Sequence, residues 1–206
     1  MSVDPRVRDR VEESFRRAFD RAPTLVVASP GRVNLIGEHT DYNDGFVMPC
    51  AIDRHTLIAL APADHGEGRV VAADYNDEID RFALRAPIAH STTSRWANYV
   101  RGCVDQLAAS GFVAGGFDMA IAGDIPQGTG LSSSASLEVG VVTALSHQFG
   151  WGIAPTDAAL IAQAAENRFV GMACGIPRRT RSWRRATSAP GPARGATVGT
   201  RRRQTR

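Results

Sequence analysis

A chain of 206 residues, 43% of them hydrophobic, can bury a real core in one domain or two, and no apolar run in it reaches the roughly 18 residues a membrane crossing needs. All 24 basic residues are arginine; the absence of lysine excludes a P-loop NTPase, a lysine-dependent protein kinase and a Schiff-base enzyme, each of which needs that ammonium group. The net charge of +3 conceals a partition: residues 1–176 hold 14 Arg and all 21 acids, whereas residues 177–206 hold 10 Arg and no acid.

The opening stretch MSVDPRVRDRVEES is charged and helix-like, unlike a signal peptide. Residues 4–20 predict a helix with Val7, Val11, Phe15 and Phe19 on one face. Residues 24–29 predict a strand leading into a turn at Gly31. Strands are expected at 46–52 and 56–62, and shorter ones at 69–74 and 80–84. Residues 95–110 predict a helix, with Trp96 and Tyr99 packing it against a sheet. A strand over 116–126 runs into a Pro turn, and helices follow at 132–148 and 156–169, the last with Thr156 as N-cap and Asp157 in its first turn. Strands mixed with helices, without strict alternation, predict an α+β layered domain. Cys50, Cys103 and Cys174 have neither metal nor disulfide spacing and are expected as buried, reduced thiols. His55, His65, His90 and His147 match no catalytic position and are expected on the surface or in satisfied structural roles.

Two stretches carry chemistry. In GDIPQGTGLSSSASLEVG (123–140), Gly128 and Gly130 bracket a tight turn before Ser132, Ser133 and Ser134 open a helix. Glycines let backbone approach a ligand, and the unpaired first N–H groups of a helix favour an anion. In GRVNLIGEHTDYNDGFVMPCAIDRHT (31–56), Glu38, His39 and Asp41 fall within four residues between glycines. Carboxylates beside an imidazole suit a polyhydroxyl ligand, while one His and two carboxylates lack a convincing third soft metal ligand. Taken singly, each stretch also reads as ordinary structure: a serine N-cap, or a solvated acidic turn.

Together the stretches resemble the galactokinases. GRVNLIGEHTDYNDGFVMPCAID is similar to the galactokinase signature, GDIPQGTGLSSSASLE to the ATP-phosphate motif of the wider GHMP small-molecule kinases, and AAENRFVGMACGI to the galactokinase pattern that follows. The resemblance covers residues from about 20 to 176. It implies the GHMP-kinase N-terminal domain, of the ribosomal protein S5 domain 2-like fold, with a sugar loop at about 31–52 and an ATP-phosphate loop at about 124–136. It implies transfer of the γ-phosphoryl of ATP to the C1 hydroxyl of α-D-galactose. Glu38, His39, Thr40 and Asp41 then belong to the sugar site, and Arg32 stabilises the transition state. Gly128, Thr129, Gly130, Leu131, Ser132, Ser133 and Ser134 hold ATP, and Ser134 and Glu166 ligate Mg²⁺.

The match stops after GMACGI. There the family continues with Met-Asp-Gln, its aspartate being the proposed base, whereas this chain has Pro177 and Arg178. A guanidinium has no acceptor and cannot serve as a base. Of residues 177–206 only Trp183 and Val198, alanine apart, could contribute to a core, so this tail is expected to be disordered and out of frame, with the family's C-terminal domain missing. The expectations are therefore a galactokinase-like domain over 1–176, impaired in this chain, and an Arg-rich tail over 177–206. Small-molecule partners (galactose and ATP), no membrane, no nucleic acid, a cytoplasmic setting and a monomer in the intact form complete them. Three alternatives stay open: a GHMP kinase for another hexose, a non-catalytic galactose- and ATP-binding sensor, and a basic arm for nucleic acid.

Overall fold

The computed structural model describes residues 3–36 and 48–172. Helix α1 (Pro5–Phe19) starts where the Asp4 side chain accepts from the Arg6 N–H at 2.9 Å and Pro5 supplies a preset φ. It ends at Asp20, left-handed at φ 52°, whose N–H bonds the Arg16 carbonyl. The predicted stripe is the buried one: Val7, Val11 and Phe15 pack on Leu57, Val71 and small residues of the sheet such as Ala59 and Ala120, with Phe19 at their edge.

The sheet has five strands, β1 (Leu25–Asn34), β2 (Pro49–Pro62), β3 (Glu67–Ala72), β4 (Glu78–Ala83) and β5 (Phe117–Gly123), in the order β1-β2-β5-β3-β4. Only β3 and β5 run parallel. Helix α1 covers one face. On the other, α2 (Ala97–Ala109), α3 (Ser133–Phe149) and α4 (Pro155–Ala164) enclose the main core, in which Ile58, Leu60 and Met119 of the sheet meet Val104, Leu107 and Leu145 of the helices. Helix α4 passes into one turn of π-helix (Ala165–Val170). This is the α+β layered domain that the strand and helix pattern predicts.

Helix α3 sits close on β1 and β2 for a specific reason. A Cβ at Gly140 would lie 2.7 Å from Ile58 Cδ1 and 3.1 Å from Ser29 Cβ. One turn earlier, the buried Ser136 hydroxyl donates to the Ser29 carbonyl at 2.8 Å and lies 3.1 Å from the Thr56 hydroxyl. Both contacts fix where the N-terminal end of α3 points.

Four expectations need correction. Gly31 is not a turn: β1 continues to Asn34 with a register shift between Pro30 and Arg32, and a Cβ at Gly31 would stand 3.0 Å from Ile52 Cδ1. The stretches 46–52 and 56–62 are not two strands, because 49–62 is continuous through the polar Asp53-Arg54-His55 run; residues 46 and 47 lie outside the described ones. Thr156 is not an N-cap: Ala154 holds that position, Pro155 takes the first helical one, and Asp157 is in the first turn as expected. Cys103 is buried but Cys50 is exposed, and Cys174 lies outside the described residues.

Candidate active site

Strand β5 ends at Gly123, and eight residues lead from it into Ser132, the N-cap of α3. Gly128 (φ 71°) and Gly130 (φ 77°) take left-handed conformations that would strain any other residue, and Ser132 shares them at φ 56°. The Thr129 hydroxyl donates to the Pro126 carbonyl at 2.9 Å, closing the loop on itself. The Ser132 side chain makes no capping hydrogen bond, so the first N–H groups of a 17-residue helix keep their capacity for another acceptor.

Beside this loop opens a cavity of about 780 Å³, which Ser133 and Ser134 line together with Gln127, Asp74, Tyr75, Glu78, Trp96 and Tyr99. Gln127 accepts from the Tyr75 hydroxyl at 3.0 Å, and the Tyr75 and Trp96 rings lie nearly parallel, 23° apart, with centroids separated by 6.2 Å. Trp96 and Tyr99 were expected to pack α2 on the sheet. Trp96 does touch the core, yet both residues are half-buried and turn toward the cavity. The spacing in Arg-Trp-Ala-Asn-Tyr, which puts the two rings on one face at the start of α2, was the available signal.

Arg32 stands on β1 directly after the register shift, and its backbone N–H donates to the Leu131 carbonyl at 3.1 Å. The two motifs, about a hundred residues apart in sequence, are thereby tied together. Leu35 and Ile36 pair with Met48, so the described chain on either side of residues 37–47 converges at this end of the β1–β2 ladder. Glu38, His39, Thr40 and Asp41 lie outside the described residues, as does Arg178.

Glu166 sits in the π turn and is buried. A second carboxyl, Glu138 on α3, is 1% exposed, with Oε1 lacking a hydrogen-bond partner. Burial first, and then the charge of Glu166, push the Glu138 carboxyl up to about 9, so it is the neutral acid at pH 7. Among the described residues no group of three or more His, Cys, Asp and Glu could cage a metal ion. The four histidines keep structural or peripheral roles: the His55 backbone exchanges bonds with Asp124 (2.6 and 3.1 Å), His65 Nε2 lies 3.2 Å from Asp118, His90 stacks on Phe169, and His147 is exposed in the last turn of α3.

A glycine-serine loop feeds a pinned helix at the mouth of an aromatic-walled cleft, and residues 98–177, which hold that loop and helix, match the GHMP kinase N-terminal domain. Residues 13–62 match the galactokinase galactose-binding signature. Lactococcus lactis galactokinase, solved with galactose, superposes with a TM-score of 0.74 at 32% identity over 82% of this chain and 44% of its own. Methanococcus jannaschii mevalonate kinase (TM-score 0.63, 21% identity, 77% of this chain, 51% of that one) shares the fold. So does Streptococcus pneumoniae phosphomevalonate kinase (0.53, 19%, 69% and 42%). The chain thus spans about half the length of the kinases it matches. It belongs to the galactokinase family of GHMP kinases.

Proposed function

We propose that this domain supplies the nucleotide cleft and sugar loop for ATP-dependent phosphorylation of α-D-galactose at its C1 hydroxyl. The observation that carries the reading is the hydrogen bond from Arg32 N–H to Leu131 O, which seats the galactose-binding signature against the phosphate loop. The triphosphate lies along Gly128–Ser134, with the N-terminal N–H groups of α3 and the serine hydroxyls donating to its oxygens. The base reaches the Tyr75–Trp96 side of the cavity. Glu38, His39, Thr40 and Asp41 accept from and donate to the sugar hydroxyls.

In the reaction the C1 oxygen bonds the γ-phosphorus while the bond from that phosphorus to the ADP oxygen breaks, ADP departs, and the hydroxyl proton passes to water. Arg32 stabilises the charge on the transferring group. The donor chemistry fits Mg²⁺, a hard cation that uses one or two protein oxygens beside phosphate and water. Ser134 and Glu166 would hold it. The bound ion would neutralise phosphate charge. Residues 1–176 carry both motifs, and the intact form acts as a cytoplasmic monomer on small molecules.

Arg178 occupies the place of the family's base and cannot accept the proton, so this chain binds both ligands but turns over poorly. A galactose- and ATP-binding sensor is the second reading, favoured by that same replacement. Calorimetric titration of the 206-residue chain tests what the two readings share. Saturable binding of ATP with Mg²⁺ is expected, and then of D-galactose in preference to its C4 epimer D-glucose. Binding of neither nucleotide nor sugar ends both readings, and rapid galactose 1-phosphate formation contradicts the role given to Arg178.

A further inference from the structure

The cavity contains one contact group that neither sequence motif covers. Glu78, the first residue of β4, reaches across to the segment that leads into α2. Its Oε2 accepts from the Trp96 indole N–H at 2.9 Å, and its Oε1 accepts from the hydroxyl of buried Ser94. The Trp96 ring so held faces Tyr75, whose hydroxyl in turn donates to Gln127 of the phosphate loop at 3.0 Å. A continuous chain of contacts therefore runs from β4 through the two aromatic rings to the loop before α3, along the cavity wall.

On the reading that this cleft binds ATP, we propose that Glu78 is a positioning residue for the nucleobase, fixing the Trp96 ring as the wall on which the base stacks. An indole on a half-buried residue has two broad orientations about its outer torsion, and only one points its N–H at a partner on β4. A carboxylate enforces that orientation because, when ionised, it accepts only and so obliges both Trp96 and Ser94 to donate. The hydrogen bonds from Ser94 and then Trp96 hold the Glu78 carboxyl below its ordinary range, which keeps it in that acceptor form. The next residues are held as well: Ser94 N–H donates to the Ser91 hydroxyl at 3.1 Å, and Ser91 N–H to Asn98 Oδ1 at 2.7 Å. Glu78 thus adds the tie from this segment to the sheet.

The test separates base from phosphate recognition by titrating the full chain with two probes, ATP and inorganic tripolyphosphate, each with Mg²⁺. Wild type binds ATP more tightly than tripolyphosphate. Glu78→Ala weakens ATP by about five- to tenfold, the scale of one aromatic contact, and leaves tripolyphosphate within about twofold. Glu78→Gln retains most of the ATP affinity, since its amide oxygen still accepts from Trp96 while its NH₂ donates to Ser94. An equal loss for both probes in Glu78→Ala, or none for ATP, overturns the positioning role. A wild-type chain that binds ATP no better than tripolyphosphate overturns the base pocket itself, and with it the nucleotide reading.

Discussion

Replacing Asp118 by Asn is expected to destabilise the domain by about 2–3 kcal/mol, the loss of charge-assisted hydrogen bonds at a buried acceptor. Asp118 on β5 is completely buried and is the common acceptor for three groups. Arg69 reaches it through Nε (2.6 Å) and Nη2 (2.8 Å), Arg21 through Nη2 (2.5 Å), and His65 through Nε2 (3.2 Å). Arg21 lies just beyond α1, and Arg69 also covers the Phe19 ring at 5.2 Å, so this carboxylate ties the exit of α1 to β3 and β5. Burial alone would raise its pKa, but hydrogen bonds from Arg69 and Arg21 outweigh burial and hold it below 3.8. A depressed carboxyl contributes stability above its unfolded value that is lost as pH falls through the folded one. Wild type and Asp118→Asn should therefore differ most above about pH 4 and converge in acid. Urea unfolding at several pH values measures this, and equal midpoints at pH 7 would contradict the account.

Glu138→Gln should have the opposite sign, stabilising the metal-free domain at pH 7 by about 2–3 kcal/mol. The folded carboxyl stands at about 9 against 4.5 for the free group, so between those values the fold holds a proton that the unfolded chain has released. Stability of the wild type falls with rising pH across that window, and glutamine, which cannot ionise, escapes the loss. The difference is absent below about pH 4, grows through neutrality and levels off above about pH 9. Thermal unfolding with chelator present reads it directly. A variant less stable than wild type at pH 8 would show that Glu138 is an ionised, paired group.

The glycine turn before α3 and the α1 stripe were legible because each is a local pattern. Glycines at 128 and 130 supply the positive φ that the turn takes, and Val7, Val11 and Phe15 meet the sheet at the spacing one helix face dictates. What was misread depends on partners distant in sequence. Asp53-Arg54-His55 looks like a break between strands, yet pairing with β1 at His55 and again at Ala51 carries the ladder past it. Gly31 looks like a turn, but it lies in β1, where a Cβ would press on the Ile52 and Ile125 side chains at 3.0–3.2 Å. The periodicity of α2 gives the face on which Trp96 and Tyr99 lie without revealing that a cavity opens there. Glu78 had no signal at all: a single glutamate at the start of a short strand is ordinary until Ser94 and Trp96 are seen beside it. Glu166 reads from sequence alone as a solvent-facing helix residue; it is buried because α4 widens into a π turn that tucks Ala165, Glu166 and Phe169 inward.

The central claim is that the galactose-binding signature and the phosphate loop serve one site. A crystal structure of this chain with Mg²⁺, a non-hydrolysable ATP analogue and galactose tests it most directly. The account predicts the triphosphate along Gly128–Ser134, the base beside Trp96, and the sugar on the Arg32 side with its O1 about 3.5 Å from the γ-phosphorus. A nucleotide bound away from that loop, or a sugar bound out of reach of the γ-phosphoryl, would contradict it.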